Sequence, residues 1–284
     1  MSTLKNKIDF AVIVSVNNAN PNGDPLNGNR PRVNYEGLGE LSDVSIKRKI
    51  RNRLMQEGEK IFVQSDDNKV DDYPSLRKRA EGEIASWTDR EAAAKLACET
   101  WMDVRTFGQV FAYGGGAGTA SGISIGIRGP VSIHPAFSVA PVLDRISSTQ
   151  ITKSVSGEGD GSKRGSDTMG MKHRVDHGVY VFYGSMNPQL AEKTGFSNKD
   201  AEAIKEAIQT LFRNDASSAR PEGSMEVYKV YWWEHNSKNG QYSSAKVHRL
   251  LKVESAAEQP KSIEDYKITL GKLDGLNCEE IDGE

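Results

Sequence analysis

The sequence predicts an α+β fold whose core runs β-α-β-β-α-β. Three observations carry that expectation. Ile8, Phe10, Val12, Val14 and Val16 alternate, with Ile13 apolar on the opposite face, which reads as a well-buried strand over 8–16. Ile46, Ile50 and Leu54 recur at i, i+4 and i+8, which marks an amphipathic helix over 44–57. A second helix over 198–212, opened by the capping-box spacing of Ser197 and Asp200, lies between strand candidates at 175–185 and 225–234.

Taken in order, the first strand hands over to a loop of Asn, Pro, Gly and Asp. It contains Pro21-Asn-Gly-Asp-Pro25 and Asn27-Gly-Asn29, which are turn signals with φ > 0 positions. Asp43 is the expected N-cap of the first helix, and Gly58 stands near its end. Residues 61–73 are polar and irregular, and 76–87 and 88–102 read as helices, the second behind a capping-box pattern at Thr88-Asp-Arg-Glu91. A strand is expected at about 122–133, with Ile123, Ile125 and Ile127 at period two. Residues 147–174 lack apolar periodicity after Val155 and read as a mobile, basic-tipped loop or ribbon. Val179, Val181 and Tyr183 then alternate, and Met225 to Trp233 is rich in Val, Tyr and Trp. This order is the ferredoxin-like or RRM-like pattern, with 58–120 and 147–174 as insertions into one elaborated domain.

Composition narrows the class. Hydrophobic content of 37% and charged content of 27% suit a soluble globular chain, and no apolar run nears the length that spans a bilayer. The first residues lack the apolar stretch of a signal peptide, and Cys98 and Cys278 are not in a CxxC spacing, so two reduced thiols in a cytoplasmic protein are expected. The net charge of −2 is not that of a typical nucleic-acid binder, but the charge is segregated. Lys47, Arg48, Lys49, Arg51 and Arg53 gather in one helix and Lys163, Arg164, Lys172, His173 and Arg174 in a later stretch, while Glu279, Glu280, Asp282 and Glu284 crowd the C-terminus. A strand, an amide-rich loop and a basic helix in succession suggest a surface for a polyanion. Gly114 to Gly118 is not followed by Gly-Lys-Ser/Thr, so it is not a nucleotide-phosphate loop, and the five histidines show no metal-ligand spacing. No cofactor or metal is expected.

Several of these stretches together resemble one family. They are Asn17-Asn-Ala-Asn-Pro-Asn-Gly-Asp24 after the first strand, Ser42-Asp-Val-Ser-Ile-Lys-Arg-Lys-Ile-Arg51, Asp103-Val-Arg-Thr-Phe-Gly108, and Thr168-Met-Gly-Met-Lys172 before Val175–Gly184. In this order they resemble the backbone, RAMP-type subunit of the type I CRISPR Cascade complex, most like its subtype I-C form. The resemblance implies a modified RRM palm (1–57, 121–146 and 175–284), a finger at 58–120 and a thumb at 147–174. It also implies copies polymerising along a CRISPR RNA guide, with other Cascade subunits as partners and target DNA reached through the guide. No catalysis is implied.

A guide whose bases are reserved for pairing must be held by its backbone. Lys47, Arg48, Arg51 and Arg53 are expected to point outward from their helix, and Ser45 lies near its N-terminus, where amides favour phosphate. Lys163 and Arg164 would follow a neighbour's guide segment, and Met169 and Met171 would wedge between bases. Lys172, His173 and Arg174 are expected phosphate contacts; Arg30 and Gln109 complete the set, with Asn18 and Asn20, which equally suit turn chemistry. Phe107, Phe111, Trp232 and Trp233 are expected in the core. Two other functions stay open. Related type III subunits cut RNA with a loop Asp, for which Asp24 is the candidate, and a metabolic enzyme on a ferredoxin-like core would need a deep pocket with perturbed carboxylates.

Overall fold

The computed structural model describes residues 2–113, 123–152 and 169–284. Strand β1 (Ile8–Ala19) is followed by the short β2 (Gly23–Asp24) and β3 (Arg30–Pro31), then β4 (Leu38–Leu41) and helix α1 (Asp43–Gln56). Next come α2 (Leu76–Glu83), α3 (Arg90–Thr100), α4 (Met102–Phe107), β5 (Gly108–Tyr113), β6 (Ile123–Arg128), β7 (Val131–Ile133) and β8 (Ala136–Pro141). Strands β9 (Ile146–Thr152) and β10 (Met169–Met186) lead to α5 (Pro188–Thr194), α6 (Asn198–Gln209) and β11 (Met225–Glu234). The chain closes with α7 (Ser244–His248), β12 (Leu251–Ser255), β13 (Tyr266–Leu270) and β14 (Glu279–Asp282).

The large sheet is antiparallel, in the order β14-β11-β1-β10-β8-β4, with β7 and β9 also paired to β10. β1 is its centre and is sealed on both faces. Phe10, Val12, Val14 and Val16 pack with Ile46, Ile50 and Leu54 of α1 and Ala201, Ile204 and Ile208 of α6. On the reverse, Ala11 and Ile13 join Val179, Tyr231 and Trp233 beneath Val247, Leu251 and Tyr266 of the C-terminal segment. Phe10 stacks on Trp232 at 5.5 Å between ring centroids. Gly184 makes room for that pair, since a Cβ there would lie 2.1 Å from the Phe10 ring. One charge sits inside this packing. Asp9, fully buried, bonds Lys7 Nζ at 2.9 Å and His235 Nε2 at 2.8 Å. His235 Nδ1 accepts from the Gln241 amide at 2.9 Å, so the proton is on Nε2 and points at the carboxylate.

A second core lies in the first insertion. Phe62, Trp101 and Phe111 form an aromatic cluster with Ala80, Ala93 and Ala97, backed by Trp87 and Tyr113. The strand expected over 122–133 is two strands in two sheets. β6 pairs with β5 in this second unit, whereas β7 pairs with β10 in the main sheet. Gly129 and Gly108 mark the changeover, where the backbones pass so closely that a Cβ on Gly108, at φ +81°, would meet the Ile127 oxygen at 2.2 Å. The helices expected over 76–87 and 88–102 are shorter than that, and the second starts from Asp89, whose carboxylate accepts from Glu91 N and Ala92 N. Thr88 instead shares a hydrogen bond with Ser86.

Other differences have physical causes as well. β10 begins at Met169, earlier than the expected 175, and its first residues pair with β9 from Met169–Thr152 to Val175–Ile146. That ribbon carries polar residues on both faces, so no apolar alternation marks it. The acidic C-terminus is neutralised at home: Glu279 pairs with Lys205 at 2.8 Å, Asp282 with Lys229 at 3.2 Å, and Glu284 with Arg213. The expected cores at Phe111, Trp232 and Trp233 are buried, and Phe107 is half-buried. The capping box of α6 is present, with both Ser197 and Asp200 engaged. Among the described residues no helix is long and apolar enough to cross a membrane.

Three outcomes are expected. Phe10→Ala should cost about 3–5 kcal/mol in a denaturant titration, because it opens a cavity between both helices and Trp232. Asp103 accepts from Phe62 N at 2.7 Å and Val63 N at 3.1 Å and pairs with Arg51 at 2.8 Å, so Asp103→Ala strands three donors and should cost about 3–5 kcal/mol by the same measurement. Burial, aided by Arg145 at His177 and by Arg30 at His173, holds the pKa of His177, His248 and His173 below the ordinary 6.5. The unfolded chain therefore takes up these protons first. Stability should fall as pH drops through 6.5 toward the lower folded values, read as Tm against pH, and should be flat in these groups above it.

Candidate nucleic-acid interface

The polar end of β1 lies where three parts of the fold meet. Asn18, exposed at φ +53°, starts the amide loop. Asn17 Oδ1 is 2.7 Å from His177 Nδ1 on β10. Asn20 is buried; its amide donates to the Ala219 oxygen at 2.9 Å and its Nδ2 to the Asn29 oxygen at 2.7 Å. Asn22 Oδ1 accepts from the Ser42 amide at 2.9 Å, which fastens the loop over the start of α1. Asp24 caps a short turn by accepting from Leu26 N at 3.2 Å and lies 3.6 Å from Arg32. Asn20, Asn22 and Asp24 therefore perform the turn chemistry, and Asn18 is one of the amides presented to solvent.

The N-cap of α1 is Ser42, not Asp43: Ser42 Oγ accepts from Ser45 N at 3.2 Å. Asp43 is the first helical residue and pairs with Lys47 at 2.9 Å. The outward projection expected for the basic residues holds for few of them. Arg53 is buried, donating to Thr210 Oγ1 at 2.9 Å and to Glu57 at 2.8 Å. Arg51 is held by Asp103 and lies 5.0 Å from the centre of the Phe107 ring. Arg48 donates to the Val63 oxygen at 2.7 Å, and burial, then the neighbouring Arg51, lowers its pKa. The reason is tertiary. α1 turns Arg48 and Arg51 toward the aromatic insertion, where they bond the Val63 oxygen and the Asp103 carboxylate, and Arg53 toward the end of α6 at Thr210. Ser45 and Lys47, in the first turns, keep partial exposure.

The base of the β9–β10 ribbon closes the junction. Arg30 Nη1 donates to Ser148 Oγ at 3.2 Å, and that hydroxyl is 2.7 Å from His173 Nδ1, across the strand pair Ser148–His173. Burial and the Arg30 charge lower the pKa of His173, which favours a neutral ring there and a positioning bond over a phosphate-binding cation. Met171 is exposed further out on the same strand, and Lys172 and Arg174 occupy alternate, exposed positions, with Arg174 3.5 Å from Asp176. Arg30 and His173 are thus joined through Ser148 at the base of the ribbon, with Met171 further out on the His173 face and Lys172 and Arg174 exposed on the opposite face. Gln109 is on β5 in the insertion, bonded to the Val110 oxygen, and joins this junction through no described hydrogen bond. Lys163 and Arg164, the Gly114–Gly118 run and the Met169 side chain lie outside the described residues.

Sequence reasoning missed Ser148, which ties the ribbon to Arg30, and His177, which bonds Asn17 across β1 and β10. The β-propensity of Ser147-Ser-Thr-Gln-Ile-Thr152 was the available signal. Among the described residues no group of three or more His, Cys, Asp or Glu is placed to hold a metal ion. An open groove of about 420 Å³, lined by Phe137, Val139, Val181 and Tyr183, holds no carboxylate.

Comparison with known proteins shows the family of the chain. A family model described as CRISPR-associated protein Cas7 matches residues 6–271. A protein of Haloferax volcanii described as CRISPR-associated protein Cas7 is 25% identical over 96% of this chain and 83% of its own length. Among solved structures, a chain of a "CRISPR RNA-guided surveillance complex, pre-nicking" aligns over 80% of this chain and 78% of its own, at 16% identity and a TM-score of 0.45. A chain of a "CRISPR RNA-guided surveillance complex" aligns over 80% and 68%, at 17% identity and a TM-score of 0.42. With the family model spanning nearly the whole sequence, the chain belongs to the CRISPR-associated protein Cas7 family.

Proposed function

We propose that this chain is the guide-RNA-binding backbone subunit of a type I CRISPR surveillance complex, of the I-C kind. Copies line up along the RNA in the cytoplasm, hold its phosphates and leave its bases free for target DNA. Other subunits of the complex supply guide processing and cleavage. The core is read as a modified RRM palm: β11, β1, β10 and β8 lie in the order 4-1-3-2 of a β-α-β-β-α-β unit, with α1 and α6 on one face.

The observation that carries the proposal is the junction at the end of β1. An RRM stacks bases on aromatic residues of its open sheet face. Here that face is closed by α7, β12 and β13, and Tyr231 and Trp233 are buried beneath them. RNA is therefore held along the polar end of β1, by Asn18, Arg30 and the ribbon residues Met171, Lys172 and Arg174, and by the part-exposed Ser45 and Lys47 in the first turns of α1. These groups suit phosphate and sugar and carry no base code. A catalytic role for Asp24 has less support, because its carboxylate is engaged by Leu26 N and Arg32.

Light scattering of the protein with RNAs of increasing length should show mass rising in steps; one copy per RNA at every length would sink the proposal. Lys47→Ala combined with Lys172→Ala should weaken binding uniformly across RNA sequences and lower the salt slope by about 1 for each phosphate contact removed. Loss confined to one sequence contradicts backbone recognition. Incubation of the complex with complementary RNA and Mg²⁺ should leave that RNA intact; cuts that vanish in Asp24→Ala would establish a nuclease instead.

A further inference from the structure

The loop between α6 and β11 belongs to none of the expected site segments, yet it supports the amide loop from below. The Ala219 oxygen accepts from Asn20 N at 2.9 Å, and the Ser224 oxygen accepts from Asn17 N at 2.8 Å. Asn20, so held, fixes the Asn29 carbonyl at 2.7 Å, next to Arg30. The α6–β11 loop is itself anchored by one carboxylate. Asp215 Oδ2 accepts from Arg220 Nε at 3.0 Å and bonds Lys49 Nζ of α1.

Lys49 is an unusual partner. Its side chain is 5% exposed, and it lies 5.4 Å from the centre of the Phe212 ring. Burial draws its pKa down to about 8 against the opposing pull of Asp215, with the Arg220 charge also lowering it. A buried ammonium with one carboxylate partner is costly to separate from it. The tie between α1 and this loop is therefore stiff, although ten residues of the loop (215–224) carry no strand or helix.

We propose that Asp215 is a positioning residue for RNA binding: its bonds to Lys49 and Arg220 set the α6–β11 loop, whose carbonyls in turn aim Asn18 and Arg30 at the guide backbone. This rests on the RNA-binding reading above. Asp215 touches no RNA in this scheme, and its effect travels through Ala219, Ser224 and Asn20.

The test compares wild type, Asp215→Asn and the double variant Lys49→Met/Asp215→Asn, full length, for Tm, amide hydrogen exchange and affinity for RNA of guide length. The double variant removes both members of the buried pair and serves if Asp215→Asn alone fails to fold. Expected are faster exchange at Asn17 and Asn20 and roughly tenfold weaker RNA binding. The loss should be non-additive with Arg30→Ala and additive with Lys172→Ala, a pattern that a general loss of stability does not produce. Unchanged affinity in a variant, with wild type binding normally, overturns the positioning role, as does strict additivity with Arg30→Ala. A wild type that binds no RNA overturns instead the reading on which it rests.

Discussion

The double burial of β1 is the constraint on which the rest of this structure depends. A strand paired on both edges and packed on both faces has no free surface along most of its length. Its polar business must be done at an end. The one charge within it, Asp9, is matched by Lys7 and His235, as a buried carboxylate requires. At the other end Asn17 meets His177 of β10 and the Ser224 oxygen, Asn20 the Ala219 oxygen, and Asn22 the Ser42 amide at the start of α1. The position of the proposed interface follows from the sealing of the sheet.

The segment Asp103–Gly108 shows how a conspicuous motif can be architectural. Asp103 ties Phe62, Val63 and Arg51; Arg105 forms two hydrogen bonds to Asp200 at 3.1 and 2.8 Å; Phe107 lies beneath Arg51; and Gly108 permits the close pass with Gly129. The Asp103–Arg51 pair and the Phe107 ring join the insertion to α1, the Arg105–Asp200 pair joins it to α6, and the others brace the insertion itself. The same network withdraws Arg51 and Arg48 from solvent. Basic charge on α1 is thus divided: Arg48 and Arg51 hold the insertion, while Lys49 and Arg53 hold the α6–β11 side.

Charge on the C-terminus tells a parallel story. In the sequence the acids there look available to a basic surface on another copy. In the fold Lys205, Lys229 and Arg213 answer Glu279, Asp282 and Glu284 within the chain. These pairs are largely exposed and contribute little each, so their effect is to cover the outer strand of the sheet with matched charge.

By itself the sequence determined the elements that have a strong period or cap: β1, α1, α6 and β11, the α+β class, and the turn chemistry of the Asn-rich loop. Local propensity and burial agree at those places, so the signal survives without its neighbours. It also marked Asn18, Arg30, Lys47 and the 171–174 stretch as polar or basic and interrupted by little apolar pattern. Tertiary structure alone decided three matters. It split 122–133 between two sheets, because β6 finds its partner in β5 and β7 in β10. It extended β10 back to Met169, because a two-stranded polar ribbon needs only hydrogen bonds to β9. And it chose which cations face outward. A helix wheel shows where a side chain leaves the helix, but not whether water or a distant carboxylate awaits it; for Arg51 that partner is Asp103, 52 residues on, and for Lys49 it is Asp215, 166 residues on.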